Sequence, residues 1–549
     1  MEQHFATIWE AIADEQPGEI ALVQGNRRVS WQTYDDRSSR LAAALRAAGL
    51  GRGSRVAVYL RNCPEYAETA YAAAKIRAVP VNVNYRYLDD ELLEILHDCE
   101  AEAVVYHASL ADRIARVAPR AQGVKIWVAV EDPAEPGTDS VSRLPVPLAR
   151  YEDLIAGHQP APRISRGGDD EWLLYTGGTT GRPRGVVYRV GTLVTKFLRQ
   201  LPPMLGFDPV TDAADALDVA RRLRLEGRRY VALPACPLMH GVGQWRGVLM
   251  PHLLGGTGVL LSSRSLDPAE VWTEVDRCGV VALAVVGDPV VRPLVRGLES
   301  LAAAGKHPDV SRLRLLFSSG AMLSAESKAA LHDLVGGLTV VDAFGASEAS
   351  FGTEITTRGS VLETGRFTLA ATARVFDVDG QPVPAGSGGR GLVAVTGDIP
   401  LGYHRDPVKT AEIFRVIDGV RYAVPGDWVR LREDGAAMFL GRDSSCINSG
   451  GEKVFPEEVE EVLKSHPDID DCLVVGVPDE RFGHRVAAVA TAAPGRAPEQ
   501  HDVLDHVRQR LASYKVPVGV VVVERVPRHD NGKPDYAAAG HLWRARQPA

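Results

Sequence analysis

The run WLLYTGGTTGRPRGVVY, Trp172 to Tyr188, sets four glycines and three threonines between two apolar segments. Trp172-Leu173-Leu174-Tyr175 and Val186-Val187-Tyr188 read as strands, so the polar part is the loop between them. Glycine lets a backbone approach a ligand closely and adopt positive φ. Successive N–H groups in such a loop form a hollow that binds anions. The hydroxyls of Thr176, Thr179 and Thr180 add donors, and Arg184 adds a cationic fork suited to phosphate. The chemistry points to a polyphosphate, although a glycine-rich surface turn stays open for this loop taken alone. It is not the common phosphate loop, which needs G-x-x-x-x-G-K-[ST] opening a helix. Here Pro183 interrupts the end and Val186 follows Gly185.

The rest of the chain narrows the choice. Its 549 residues are too many for one core and suggest roughly three to four structural units. Apolar content of 45% and charged content of 24% are ordinary for a globular protein. A net charge of −8 gives no basic footprint for nucleic acid. No apolar run is long enough to span a bilayer, so integral membrane association is not expected. The start, MEQHFATIWEAIADEQ, is acidic where a signal peptide would be basic and then apolar. Six scattered cysteines show neither pairing nor metal-ligand spacing, which predicts a reducing cytoplasm. Only 10 of the 62 basic residues are lysine, so each lysine position carries more information than usual.

Alternating elements dominate the first half. Val56–Leu60, Val79–Val83, Ala103–Tyr106 and Val124–Val128 read as strands, with a helix near Tyr66–Ile76. Val259–Leu261, Val280–Val286, Leu313–Phe317 and Leu338–Val341 read as further buried strands. That pattern predicts α/β sheets with helices on their faces. Residues 131–147, rich in Pro, Ser, Asp and Glu, read as a surface loop. Beyond about residue 365, short strands punctuated by glycine and proline predict a β-rich subdomain. Pro456 and the acids after it mark a helix start. We expect a large N-terminal domain, 1–441, and a small mobile α+β C-terminal domain, 442–549.

Six further segments stand in series with the opening loop. They are PLMHGVGQW (Pro237–Trp245), SSGAM (Ser318–Met322), VDAFGASE (Val341–Glu348), VPGDW (Val424–Trp428), LGRDSSCINSGGEKVFPEEVE (Leu440–Glu460) and HDNGKPD (His529–Asp535). In this order and spacing the chain resembles, over essentially its whole length, the adenylate-forming superfamily of acyl-CoA synthetases, carrier-protein adenylation domains and luciferases. INSGGEKVFPEEVE and VVGDPVVRPL (Val285–Leu294) most resemble actinobacterial synthetases for long-chain, steroid-side-chain or other bulky lipid acids.

The resemblance implies ATP, Mg2+ and coenzyme A, and a role for each segment. Thr176, Gly177, Gly178, Thr179, Thr180 and Gly181, with Arg184, would cradle the β- and γ-phosphates. Glu348, following Ser347, would hold magnesium, a cation that takes hard oxygen ligands. Gly320, Ala321 and Asp342 would frame adenine, with Phe344 against its ring. Asp427 would accept both ribose hydroxyls, as a carboxylate can, and Arg442 would contact ribose near the hinge. His240 would lie between the carboxylate and the α-phosphate. Lys533 would bridge the carboxylate oxygen and the α-phosphate as charge builds. After rotation of the C-terminal domain, Gly450 and Gly451 would border the pantetheine tunnel. Taken one at a time, His240, Phe344, Asp427 and Lys533 read as readily as structural or surface residues.

Three departures from the superfamily pattern stand out. Gly177 replaces a serine, Arg184 replaces a lysine, and the hinge residue is Ser444. They motivate a second hypothesis, a ligase with weak adenylation that takes a pre-formed acyl-adenylate. A free-standing carrier-protein loader and a non-enzymatic nucleotide-binding module also stay open. For the acid itself, Trp245, Val286, Gly287, Met322 and Gly345 are expected to line the pocket, the two glycines leaving width for a steroid-like, terpenoid or long-chain group. The sequence leaves homo-oligomerisation open.

Overall fold

The computed structural model describes residues 1–131, 148–176, 184–442, 445–449, 452–479, 483–511, 513–529 and 532–546. Its centre is a parallel ladder of strands ordered Ile20–Gln24, Thr257–Leu260, Val231–Pro234, Ala282–Val285, Leu315–Ser319 and Thr339–Gly345. Several of these strands are buried along their whole length, as a sheet covered on both faces requires. Helix Pro268–Cys278 shows how the covering helices are bounded. Asp267 caps its first turn, Pro268 opens it, and Gly279 ends it in the left-handed conformation.

A second sheet of eight strands carries the opening loop. Its order runs Gly402–Tyr403, Arg184–Arg189, Glu171–Thr176, Val79–Asn82, Arg55–Tyr59, Ala101–His107, Ile126–Val130 and Leu148–Arg150. The expected strands at 56–60, 79–83, 103–106 and 124–128 are present with boundaries moved by at most two residues. The predicted helix spans Pro64–Lys75, and its side chains are buried throughout. Most of the expected loop at 131–147 lies outside the described residues.

The β-rich part is antiparallel and continues the first sheet through Ser350–Thr356 and Arg366–Leu369 into Ala437–Arg442, Asp427–Leu431 and Arg390–Val395. It is therefore joined edge to edge with the first α/β sheet, giving one sheet of fifteen strands. A separate five-stranded sheet begins at Ile447 and takes helices Pro456–Lys464, Gln500–Arg508 and Tyr536–Ala545 onto its faces. Arg442 itself closes a strand of the preceding sheet, paired with Asp427.

Candidate active site

In an open parallel sheet, ligands bind beyond the carboxyl ends of the strands. The segments singled out in the sequence emerge at those ends. His240 follows Val231–Pro234, Val286 follows Ala282–Val285, Gly320 and Ala321 follow Leu315–Ser319, and Ser347 and Glu348 follow Thr339–Gly345. Thr176 ends a strand of the second sheet, opposite Arg184. Gly177, Gly178, Thr179, Thr180, Gly181, Ser444, Gly450 and Gly451 lie outside the described residues.

His240 is the residue before the short helix Gly241–Gln244. Its Nε2 is buried with no hydrogen-bond partner. Burial pushes the imidazole down to about 3, and the charges of Lys533 and Arg86 push the same way. His240 is therefore neutral at physiological pH. Lys533 reaches this point from the C-terminal sheet on the turn His529–Pro534. Its neighbour Gly532 packs on Pro289 and Val286, where an added Cβ would stand 3.2 Å from the proline. Burial lowers the Lys533 ammonium first; Arg442 acts in the same direction, while Glu348 and Asp427 oppose it. One lysine thus feels His240, Glu348, Asp427 and Arg442 together.

Asp427 is buried and accepts from Arg442 Nε at 2.8 Å on Oδ1, while Oδ2 is buried without a partner. The Asp427 charge is the main reason the Arg442 guanidinium is held above its ordinary value. An orphaned carboxylate oxygen is costly unless a ligand donor meets it, so the site fits a ribose diol. Glu348 accepts from Tyr403 Oη at 2.5 Å. Arg184 Nε lies 3.5 Å from Asp406 Oδ2, within three residues of that tyrosine. Tyr188 Oη donates to the Ser347 carbonyl, which ties the end of one sheet to the other. Sequence reasoning missed Tyr403, because a two-residue strand is too short to show alternation.

Phe344 is 6% exposed and stacks on Phe367, with Phe351 and Phe439 also against its ring. Asp342, two residues earlier, is buried against Lys328 Nζ at 3.1 Å, which also holds Glu354. Burial pushes this aspartic acid up to about 6, with Lys328 opposing. These contacts fix both side chains within the protein, one by ring packing and the other by an ion pair. Met322 turns its methyl toward Gly365, a glycine that Phe439 also borders.

Gly287 and Gly345, the two glycines expected to widen the acyl pocket, both stand against backbone. Gly287 has φ +51°, and a Cβ there would stand 2.3 Å from the Met322 carbonyl oxygen and 2.7 Å from that of Ala321. At Gly345 a Cβ would meet the Ala349 carbonyl oxygen at 2.7 Å. Both are glycine because backbone passes too close for any side chain. Trp245 and Val286 remain candidates for the wall. Trp245 packs edge-on against Tyr188 and is in ring contact with Phe197, and its Nε1 is buried without a partner. Val286 is buried beside Gly320 and Gly532.

The fold, with Lys533 brought from the C-terminal domain to the carboxyl ends of the parallel strands, is that of an adenylate-forming enzyme. Residues 9–403 match the family described as AMP-binding enzyme, and residues 458–533 match the AMP-binding enzyme C-terminal domain. The chain belongs to the AMP-binding enzyme family, and it is an AMP-forming acyl-CoA ligase. It is 38% identical over 540 residues to a 3-oxocholest-4-en-26-oate–CoA ligase of Rhodococcus rhodochrous, covering 98% of this chain and 95% of the relative. It is 37% identical over 545 residues to a medium/long-chain-fatty-acid–CoA/3-oxocholest-4-en-26-oate–CoA ligase of Mycobacterium tuberculosis, covering 99% and 96%. Among solved structures, the anthranilate CoA ligase AuaEII with anthranoyl-AMP aligns at TM-score 0.81 and 20% identity, covering 99% and 98%. ATP-bound MatB from Rhodopseudomonas palustris aligns at TM-score 0.79 and 24% identity, covering 98% and 99%. Both support the fold. No helix among the described residues is long and apolar enough to cross a membrane.

Proposed function

We propose that this enzyme activates a bulky lipid carboxylic acid, steroid- or terpenoid-like or long-chain, and that the residues gathered around Lys533 carry out the first half-reaction. The carboxylate oxygen attacks the α-phosphorus of ATP, giving acyl-AMP and pyrophosphate. The coenzyme A sulfur then attacks the acyl carbon and releases AMP. The observation that carries this reading is the docked Lys533 turn. It sets one ammonium within electrostatic reach of His240, Glu348, Asp427 and Arg442.

In this reading Asp427 Oδ2 accepts from the ribose hydroxyls, with Arg442 fixing the carboxylate. Lys533 neutralises charge that grows on the α-phosphate and carboxylate oxygens, which a preorganised cation does best in a desolvated site. His240 stays neutral and offers Nε2 to the acid without adding a charge. Among the described residues no group of three or more His, Cys, Asp or Glu side chains could hold a metal. Magnesium needs no such group, since it keeps waters and takes one or two carboxylates plus phosphates. Glu348 fits that role, with one oxygen left beyond its Tyr403 bond. The ion would supply charge neutralisation at the leaving pyrophosphate.

We place the domain boundary between Arg442 and the C-terminal sheet, with rotation about Ser444 bringing Gly450 and Gly451 to the site for thioester formation. The six free cysteines suit a reducing cytoplasm. The test is a panel of acids of graded width, scored for ATP–pyrophosphate exchange and for AMP release with free CoA or a carrier protein. Exchange and CoA-dependent AMP release with polycyclic or long acids is the expected result. Exchange without any transfer to CoA would redirect the reading to a carrier loader.

A further inference from the structure

Two cations lie beside the Trp245 wall and take no part in the chemistry above. Lys196 and Gln200 stand one turn apart on the helix Val190–Met204, so they share a face. Arg246 follows Trp245 in the π-helical turn Trp245–Leu249. Arg246 Nη2 donates to Gln200 Oε1 at 3.4 Å, and its guanidinium lies over Phe317, 4.5 Å from the ring centre. Phe197, next to Lys196, packs on Trp245 with ring centres 5.5 Å apart, which joins the two segments.

Among the described residues neither cation has a carboxylate partner. Lys196 makes no hydrogen bond or ion pair, and the nearest acid, Asp398, is bridged to Arg199 at 2.7 Å. Arg246 Nη1 is buried and unpartnered, as are Trp245 Nε1 and His240 Nε2 a few residues away. Both cations keep some accessible surface. Even so, burial pulls Lys196 down to about 8, with Arg246 pushing the same way and Asp398 opposing. Burial also lowers Arg246, against Tyr230. Side chains that are reachable yet dehydrated are what the wall of an interior cavity presents. A lysine, one guanidinium nitrogen and an indole N–H left without acceptors there are costly unless a ligand meets them.

Arg246 lies six residues beyond His240, on the far side of the short helix Gly241–Gln244. We infer that the acid carries a second acceptor oxygen, from a keto group or a carboxylate, away from the carboxylate being activated, and that Lys196, Arg246 and Trp245 Nε1 receive it. The inference rests on the acyl-CoA ligase reading of the site and names the substrate class within it. Plain fatty acids would leave the three donors unmet. A site built to hydrogen-bond an oxygen rejects analogues that lack it far more strongly than an apolar pocket rejects a misfit.

The experiment compares acids of one ring size that carry no second oxygen, a keto group, or a second carboxylate. Each is assayed by ATP–pyrophosphate exchange with the parent enzyme, Lys196→Met, Arg246→Met and the conservative Lys196→Arg. The parent should prefer an acceptor-bearing acid by at least ~10-fold in kcat/KM, and either Met variant should collapse that ratio while Lys196→Arg preserves it. A larger loss for the dicarboxylic than for the keto acid in Lys196→Met would assign the carboxylate as the acceptor; the reverse would assign the keto group. Parent preference for the plain acid, or ratios unchanged in both Met variants, overturns the subsite. Calorimetric binding of the same acids without ATP separates the two readings. Acceptor-dependent binding that Arg246→Met abolishes, with no exchange toward any acid, would sink the ligase reading and keep the subsite. Binding indifferent to the acceptor overturns the subsite whatever the exchange assay gives.

Discussion

Arg442 donates to one oxygen of Asp427 at 2.8 Å, while the other oxygen of that carboxylate is buried with no partner. The arrangement orients the carboxylate and leaves one acceptor for a ligand. Asp427→Asn keeps the shape but halves the acceptor capacity and weakens the bond to Arg442. We expect KM for ATP in pyrophosphate exchange to rise ~10-fold or more, since a hydrogen bond to a charged group contributes about 1.5–3 kcal/mol. An unchanged KM would remove Asp427 from the ribose.

Lys533 sits on a turn of the C-terminal sheet that packs on Pro289 and Val286 of the large domain. Its role in the proposed mechanism belongs to the first half-reaction alone. Lys533→Ala should lower exchange by ~100-fold or more, the usual cost of removing one preorganised charge-stabilising donor. Thioester formation from a synthetic acyl-adenylate should persist within a few-fold. Equal loss in both half-reactions would make Lys533 a structural residue.

Gly287 and Gly345 should respond to substitution through folding, not through substrate width. At Gly287 even alanine brings a Cβ within 2.3 Å of a backbone oxygen, and the residue has positive φ. We expect Gly287→Ala to lower the thermal midpoint measurably, through a cost of ~2 kcal/mol or more. Relative kcat/KM across acids of different width should stay the same. A changed width preference at an unchanged midpoint would restore Gly287 to the acyl wall.

The same two glycines mark where the sequence stops being legible. The strands, helix Pro64–Lys75 and the ordering of motifs at strand ends are readable, because hydrophobic runs and turn residues are local signals. Asp427 and Arg442 stand at strand ends beside polar, glycine-bearing segments that are conspicuous in the sequence, as is the segment that carries Lys533. Gly287 reads as empty space in a sequence, but only the fold shows that the carbonyls of Ala321 and Met322 fill it. Phe344 and Asp342 show a related limit. Residues two apart on a strand share a face, and only the neighbouring strands reveal that this face carries Phe367 and Lys328. The Lys196–Arg246 pair joins residues 50 positions apart; Arg246 directly follows the Pro237–Trp245 segment, but no motif surrounds Lys196.

The last prediction concerns pH and Glu457, on the first turn of helix Pro456–Lys464 just past the hinge. Ser445 Oγ donates to its Oε1 at 3.2 Å, and its Oε2 is buried without a partner. Burial pushes this carboxyl up to about 8, Glu460 pushes the same way, and Ser445 and Arg442 oppose. The packed hinge therefore favours the protonated acid. For a carboxyl raised in the folded state, the contribution is fully present below its ordinary value near 4.5 and is lost as pH rises through about 8. The docked, adenylating arrangement should weaken over that upper range as a charge is forced into the contact. Single-turnover adenylation, followed between about pH 6.5 and 9.5, should fall on the alkaline side. Lys533, itself lowered by burial, titrates against the same contact and adds its own loss. Glu457→Gln, neutral at every pH, separates the two. It should hold the rate to higher pH than the parent and leave only the lysine's decline. Superimposable profiles for parent and variant would remove Glu457 from control of the hinge.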